Sequence, residues 1–301
     1  MKLVAQVIAG NSAHDLVGCI EHHRNLGVDA FIICHLYSED NTPELLQTLE
    51  REHDDITVVH IPLIFDDPLS LFQPSINLAR QKYDADWILR IDSDERWFVQ
   101  HGTLKEAIAK DGGRGVIAVK RYNIVWPTPA AAEQTDISST MTLQNLPLAL
   151  FPVFIPPTDS AKLEEIPWVL ALIAHKCCMQ ASEMFDFDIG GHNVVDRVQG
   201  GIKPRVTSNN IIVAQIAFTT LDRFEIKLRG ISALFNKAPT DRNPHLGWHW
   251  TRLANIYKQG FAAVEAEWLR QFMTPEFAQQ LVGRQVIASG EFAFDFPRRR
   301  S

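Results

Sequence analysis

Three acids close an apolar run at residues 87–95, Trp-Ile-Leu-Arg-Ile-Asp92-Ser-Asp94-Glu95. Carboxylates this close repel and raise one another's pKa unless a cation or hydrogen-bond donors compensate them. A hard divalent ion, Mg2+ or Mn2+, is a natural compensator, because it takes carboxylate oxygens and keeps positions open for substrate phosphates. Asp92 and Asp94, two apart, can both turn toward one ligand as the chain leaves a strand. Acids at a strand end also serve as turn or cap residues, so this spacing alone leaves both readings open. A second group lies near residue 190. Glu183, Asp186 and Asp188 each offer a general base, and Asp188, four residues before His192, is the preferred one. A solvated acidic loop is the plain alternative. His192 follows Gly190-Gly191, a turn that lets backbone approach a ligand closely.

These residues need a scaffold, and the first 125 residues supply its rhythm. Short β-branched runs alternate with amphipathic stretches, the pattern of βα units around a mostly parallel sheet. Strands are expected at residues 3–9, 30–34, 56–61, 87–91 and 116–122. Ser12 and Asp15 have capping-box-like spacing ahead of Leu16, Val17 and Ile20, and Gly27 stands where that helix would stop. Thr42 reads as an N-cap with Pro43 at the first helical position, and a third helix is expected at residues 74–83. In such sheets ligands bind at the carboxyl ends of the strands, which is where Asp92, Asp94 and Glu95 fall. Residues 126–167 break the rhythm with many prolines and no sustained period, and read as a long insertion, a lid or an acceptor loop. Strand-like runs return at 174–179 and 211–218, and the rest is mainly helical. The expected division is a catalytic domain over 1–218 with a helical extension over 219–301.

Composition excludes several classes. The 301 residues carry a net charge of -7, which disfavours nucleic acid as a partner, since that needs a basic face. No apolar stretch reaches the roughly 20 residues of a membrane-spanning helix, and the start lacks the pattern of a signal peptide. A cytoplasmic location is the expectation, with peripheral membrane association left open. Cys19, Cys34, Cys177 and Cys178 lack C-x-x-C spacing and read as reduced thiols, with Cys177 and Cys178 on opposite faces of a strand.

Four stretches in order carry a family likeness: Asn11, then His22-His-Arg-Asn-Leu-Gly-Val-Asp29, then Ser38-Glu-Asp40-Asn-Thr42, then Asp92-Ser-Asp94-Glu95. Together they resemble glycosyltransferase family 2 and its close relatives, in the branch with a D-x-D-E strand end. The likeness is clearest over residues 3–98 and resumes faintly at Gly190-Gly-His192-Asn193 and at residues 222–230. It implies a GT-A fold, an α/β sheet flanked by helices, and an enzyme that moves a sugar from a nucleotide-diphosphate donor to a carbohydrate or glycoconjugate acceptor. By the same resemblance Asn11 and Asp40 border the nucleotide, Asp92 approaches the ribose or a metal-bound water, Asp94 ligates Mn2+ or Mg2+, and His192 completes the metal shell. Two positions depart from the pattern: Ser12 replaces an acid, and His35 stands where an acid often reads the base. The donor's base is therefore left open. The implied chemistry is an inverting displacement in which a carboxylate takes the acceptor's proton. The run His245-Leu-Gly-Trp248-His-Trp250 offers either a sugar platform or helix-packing aromatics.

Other readings are weaker. A nucleotidyltransferase or a Rossmann oxidoreductase would show a glycine-rich phosphate loop after the first strand, and residues 9–13 are not one. A catalytically inactive GT-A-like module that binds sugar or nucleotide remains the alternative, and donor turnover separates the two.

Overall fold

The computed structural model describes residues 1–61, 72–111, 115–137, 141–143, 146–150, 152, 167–188, 190–237, 248–284 and 287–288. The chain folds as two compact units. The first holds Met1–Arg121, Ile137–Met141 and Ala174–Gln215; the second holds Tyr122–Asp136, Thr142–Ile173 and Ile216–Ser301.

In the first unit the strands are β1 (Leu3–Ala9), β2 (Ala30–His35), β3 (Ile56–His60), β4 (Trp87–Asp92), β5 (Glu95–Val99) and β6 (Val116–Asn123), the last running on into the second unit. Its helices are α1 (Leu16–Asn25), α2 (Thr42–Glu52), α3 (Gln73–Tyr83) and α4 (Leu104–Asp111). The second unit adds α5 (Pro129–Glu133) and the short β7 (Leu148–Ala149). The chain then returns to the first unit with β8 (Lys176–Gln180), β9 (Phe185–Phe187), β10 (Val194–Asp196) and β11 (Val206–Gln215). It ends in the second with α6 (Leu221–Lys237), α7 (Trp248–Lys258), α8 (Phe261–Leu269), α9 (Pro275–Gly283) and β12 (Ile287–Ala288).

The main sheet runs β3-β2-β1-β4-β8-β6-β11-β5. Its first four strands are parallel, while β8 is antiparallel to both β4 and β6. β1 is buried almost throughout, as expected of a central strand covered on both faces. One face packs Leu3, Ala5, Val7 and Ile91 against Leu16 and Ile20 of α1; the other packs Val4, Ile32 and Ile88 against Ile76 and Ala79 of α3. The four cysteines are free, with Cys178 in one of these clusters and Cys177 in the other, hence on opposite faces of β8.

The expected strands and helices of the first 125 residues are present, with two corrections at helix starts. α1 begins at Leu16, and Ser12 supports it through its carbonyl, which accepts the Asp15 and Leu16 amides, rather than through a side-chain cap. Thr42 is the first helical residue of α2, and its hydroxyl accepts the Ser12 amide at 2.7 Å instead of capping its own helix. Gly27 ends α1 as expected, at φ +94°. Of the expected insertion at 126–167, the described part forms α5, capped by Thr128, whose side chain accepts from the Ala131 amide, and β7. Residues 153–166 lie outside the described residues, as do His245 and the basic tail at 298–300.

Within the second unit Trp168 is buried beside Phe218, His249 and Trp250, and the Lys227 ammonium lies over the rings of Phe218 and Trp250. His249 and Trp250 thus pack inside an aromatic cluster. No helix among the described residues is long and apolar enough to cross a membrane.

Candidate donor-binding site

β4 ends at Asp92, the chain turns through Ser93 and Asp94, and it leaves as β5, which pairs with β11 and not with β4. The turn is held from four sides. The Ser93 amide donates to the Ile8 carbonyl at the end of β1, and the Ser93 hydroxyl lies 2.7 Å from that of Ser12. Buried Arg96 donates to the carbonyls of Ser93, Glu95, Asp15 and Ile137. Glu95 folds back so that its Oε2 accepts the Asp92 amide at 3.0 Å. Ser12, where the resembled family has an acid, therefore joins the end of β1, the acid turn and α2.

Part of the charge balance of the acids comes from the protein's own cations. Lys176 of β8, with no exposed side-chain surface, donates to Asp92 Oδ2 at 2.7 Å and lies 3.4 Å from Glu95 Oε2. Arg121 of β6 donates to Glu95 Oε1 at 2.8 Å and approaches Asp92 to 4.0 Å. Burial pushes the Asp92 carboxyl up, but the Lys176 ammonium and the Arg121 guanidinium outweigh it and hold the group below the usual carboxylate range. Burial raises Glu95, with the Asp92 charge adding to it and Lys176 and Arg121 opposing. Asp94 is buried near the turn, with Gln215 Nε2 3.5 Å from its Oδ2.

The rim beside these acids is built from two loops tied together. Asn11 sits in the left-handed region at φ +50°, which its short side chain tolerates, and its Oδ1 accepts the amides of Glu39 and Asp40. The Asn11 amide donates to Ser38 Oγ. Asp40 accepts the Ala13 amide on one oxygen and the Thr42 amide on the other. At the ends of the paired strands β2 and β3, His35 Nδ1 lies 3.0 Å from His60 Nδ1, and its Nε2 lies 3.0 Å from Ser38 Oγ. Burial and the His60 ring lower the His35 pKa, against the raising effect of Asp40. Asn11, Asp40 and His35 are thus brought to one rim, and His60 joins them.

The β9–β10 hairpin carries the third part. Asp188 accepts the His192 amide at 2.6 Å and the Asn193 side chain at 2.8 Å, so both of its oxygens hold the turn. His192 Nδ1 donates to the His175 carbonyl at 2.8 Å, which leaves Nε2 as the nitrogen with a lone pair. Burial, with Lys176 and Arg121 adding to it, lowers the His192 pKa to about 4, so the ring is neutral at pH 7. Neither glycine takes a side chain without a neighbour moving. A Cβ at Gly190 would overlap the His192 ring, and one at Gly191, where φ is +66°, would overlap the Arg90 side chain. Of the other acids considered, Asp186 is buried and accepts the Phe187 amide, while Glu183 is exposed and pairs with Arg80.

Among the described residues no three His, Cys, Asp or Glu side chains gather to hold an ion. Mg2+ at phosphate sites is held by one or two carboxylates, the substrate phosphates and waters completing the shell. Asp94 is a carboxylate of that kind, and His192 carries a neutral imidazole on the turn after β9. Lys176, Arg121, Gln215 and His60 come to the site from distant parts of the chain, and Arg96 directly follows the acids. The local sequence marks one of them: a lysine opens the apolar run Lys176-Cys-Cys-Met, and lysine is almost never fully buried unless paired.

Residues 5–148 match the sequence model of glycosyltransferase family 92. No curated protein matches the chain. Among solved structures, S. aureus TarS 1-349 in complex with UDP-GlcNAc is 11% identical at a TM-score of 0.38, over 84% of this chain and 70% of that one. A longer S. aureus TarS chain is 13% identical at a TM-score of 0.36, over 84% of this chain and 42% of that one. Glucosyl-3-phosphoglycerate synthase from Mycobacterium tuberculosis, in complex with Mn2+, UDP and phosphoglyceric acid, is 15% identical at a TM-score of 0.32, over 60% of this chain and 56% of that one. The family match, the helix-flanked α/β sheet and the acids closing β4 together indicate an enzyme, a glycosyltransferase of GT-A-like fold.

Proposed function

We propose that the chain transfers a sugar from a nucleotide-diphosphate donor to an acceptor hydroxyl, with the diphosphate lying against the turn at Ser93 and Asp94. The observation that carries this reading is the acid-ended β4 beside the joined loops of Asn11 and Asp40, at the carboxyl ends of parallel strands where such sheets bind ligands. The rim of Asn11, His35, Asp40 and His60 would face the nucleoside. Asp94 and His192 would hold Mn2+ or Mg2+, which when bound supplies Lewis-acid stabilisation of the diphosphate leaving group. Asp92 stays ionised beside Lys176 and faces the donor as an acceptor of hydrogen bonds.

In an inverting displacement the acceptor oxygen bonds to the anomeric carbon as the carbon–oxygen bond to the diphosphate breaks, and the acceptor's proton passes to a base. Asp188 remains the proposed base. Its oxygens accept two hydrogen bonds within the turn and retain lone pairs, since a carboxylate has about four acceptor sites. Asp188→Asn separates base from turn-former. Loss of a positioned base lowers kcat by roughly 10² to 10⁴ with donor binding kept. A turn-former alone would show a rise in KM and a lower melting temperature, with kcat nearly unchanged.

A second reading, nucleotide binding without turnover, draws on the same engagement of Asp188 and on the ion pairs that already compensate Asp92 and Glu95. Release of nucleotide diphosphate from a panel of nucleotide sugars, with candidate acceptors and Mn2+, decides between them. Turnover that disappears in Asp94→Asn supports transfer; tight binding with no turnover for any donor supports the second reading.

A further inference from the structure

Lys176 has a place in the site that its sequence neighbourhood does not announce. It opens β8, the strand between β4 and β6, where Val119 of β6 is its register partner. Cys178, two residues on, faces Leu89 of β4, so the Lys176 side chain reaches the end of β4. The ammonium group has three hydrogens to place and no accessible surface on which to meet water. It directs them at Asp92 Oδ2 (2.7 Å), the Gly190 carbonyl (3.0 Å) and Glu95 Oε2 (3.4 Å). The same cation therefore touches the first acid of the turn and the backbone of the turn that carries His192. A buried lysine is costly unless paired, and this one is paired on two separate segments.

We infer that Lys176 is a positioning residue of the donor site, which withholds Asp92 from a divalent ion and ties the acid turn to the turn bearing His192. In consequence the ligand-free protein binds the ion weakly, and the ion enters with the diphosphate. The inference rests on the reading of this site as a donor site, but its test needs no nucleotide. Arg121 also approaches Asp92, at 4.0 Å, and is left in place throughout.

The test is Mn2+ binding to the ligand-free protein, followed by the electron paramagnetic resonance signal of free Mn2+, together with amide exchange over residues 190–193. Lys176→Met frees Asp92, and Mn2+ affinity is expected to rise by about tenfold or more, the effect of removing a cation 4–6 Å from a binding charge. Exchange at 190–193 should quicken in the same variant. Lys176→Arg keeps the charge and should leave Mn2+ affinity within roughly threefold of the wild type. If Lys176→Met fails to fold, Lys176→Met with Glu95→Gln removes one charge of each sign and is compared with Glu95→Gln alone. For catalysis, Lys176→Met should lower kcat at saturating Mn2+, with Lys176→Arg restoring part of it. Mn2+ affinity equal to or below the reference in a folded Met variant, or unchanged exchange at 190–193, would overturn the inference. Failure of the wild type to bind any nucleotide diphosphate would instead overturn the functional reading, and the Mn2+ comparison would still decide the role of Lys176.

Discussion

Asp94 stands on a turn whose backbone is held by Arg96, Ser12 and the end of β1, so its carboxylate can be altered without undoing the turn. Asp94→Asn is expected to abolish transfer and to shift the melting temperature by no more than a degree or two; a folded variant that turns over normally at limiting Mn2+ would remove Asp94 from the metal site. Arg121 is different, because its partner Glu95 is fully buried. Arg121→Met leaves that carboxylate short of one cation, and breaking a buried pair costs about 3–5 kcal/mol. Chemical denaturation should record that loss, and adding Glu95→Gln should recover part of it. The acids were legible in the sequence because three of them end one apolar run, a local signal. Lys176 was not, since its contact with Asp92 spans 84 residues of chain and nothing in the local pattern specifies which strand lies beside β4.

Among elements, β1 to β4 and α1 to α3 follow from periodicity and from Gly27, Pro43 and Pro74 near helix ends. β5 was hidden because Glu95 and Arg96, both fully buried, look like surface residues when read without their partners. The β9–β10 hairpin was missed because each strand has only three residues, too few for a period of two to register. Its turn makes a sharp prediction. Gly191→Ala places a Cβ against Arg90 at a left-handed backbone position, which costs on the order of 1–3 kcal/mol. At roughly 2–4 °C per kcal/mol, the melting temperature should fall by several degrees, with metal-dependent activity falling further because His192 moves. An unchanged melting temperature would mean that the turn is not packed as described.

Over the whole molecule, buried neutral histidines set the acid limb of stability. His23 donates from Nδ1 to the Cys19 carbonyl and accepts the Trp97 amide on Nε2, so protonation would break its link to β5; burial holds its pKa well below 6.5. Burial likewise lowers His22 and His192, each to about 4. With folded values depressed, the unfolded chain takes up these protons first. For His22 and His192 that contribution is complete above about pH 6.5 and is lost as pH falls toward 4, at about 1.4 kcal/mol per unit for each group. Melting temperatures flat between pH 7 and 5 would contradict this. Each of the two units is assembled from separate stretches of chain, and strand β6 runs from one into the other. The central claim, a nucleotide-diphosphate site at the acids of β4, is tested most directly by thermal stability with a panel of nucleotide diphosphates in Mn2+ and in EDTA, on the wild type and Asp94→Asn. One nucleotide at a hundredfold excess over its dissociation constant should stabilise the wild type by about 2.7 kcal/mol in Mn2+, and should lose most of that effect in EDTA or in Asp94→Asn. Equal stabilisation in all of these conditions, or none from any nucleotide, would contradict the account.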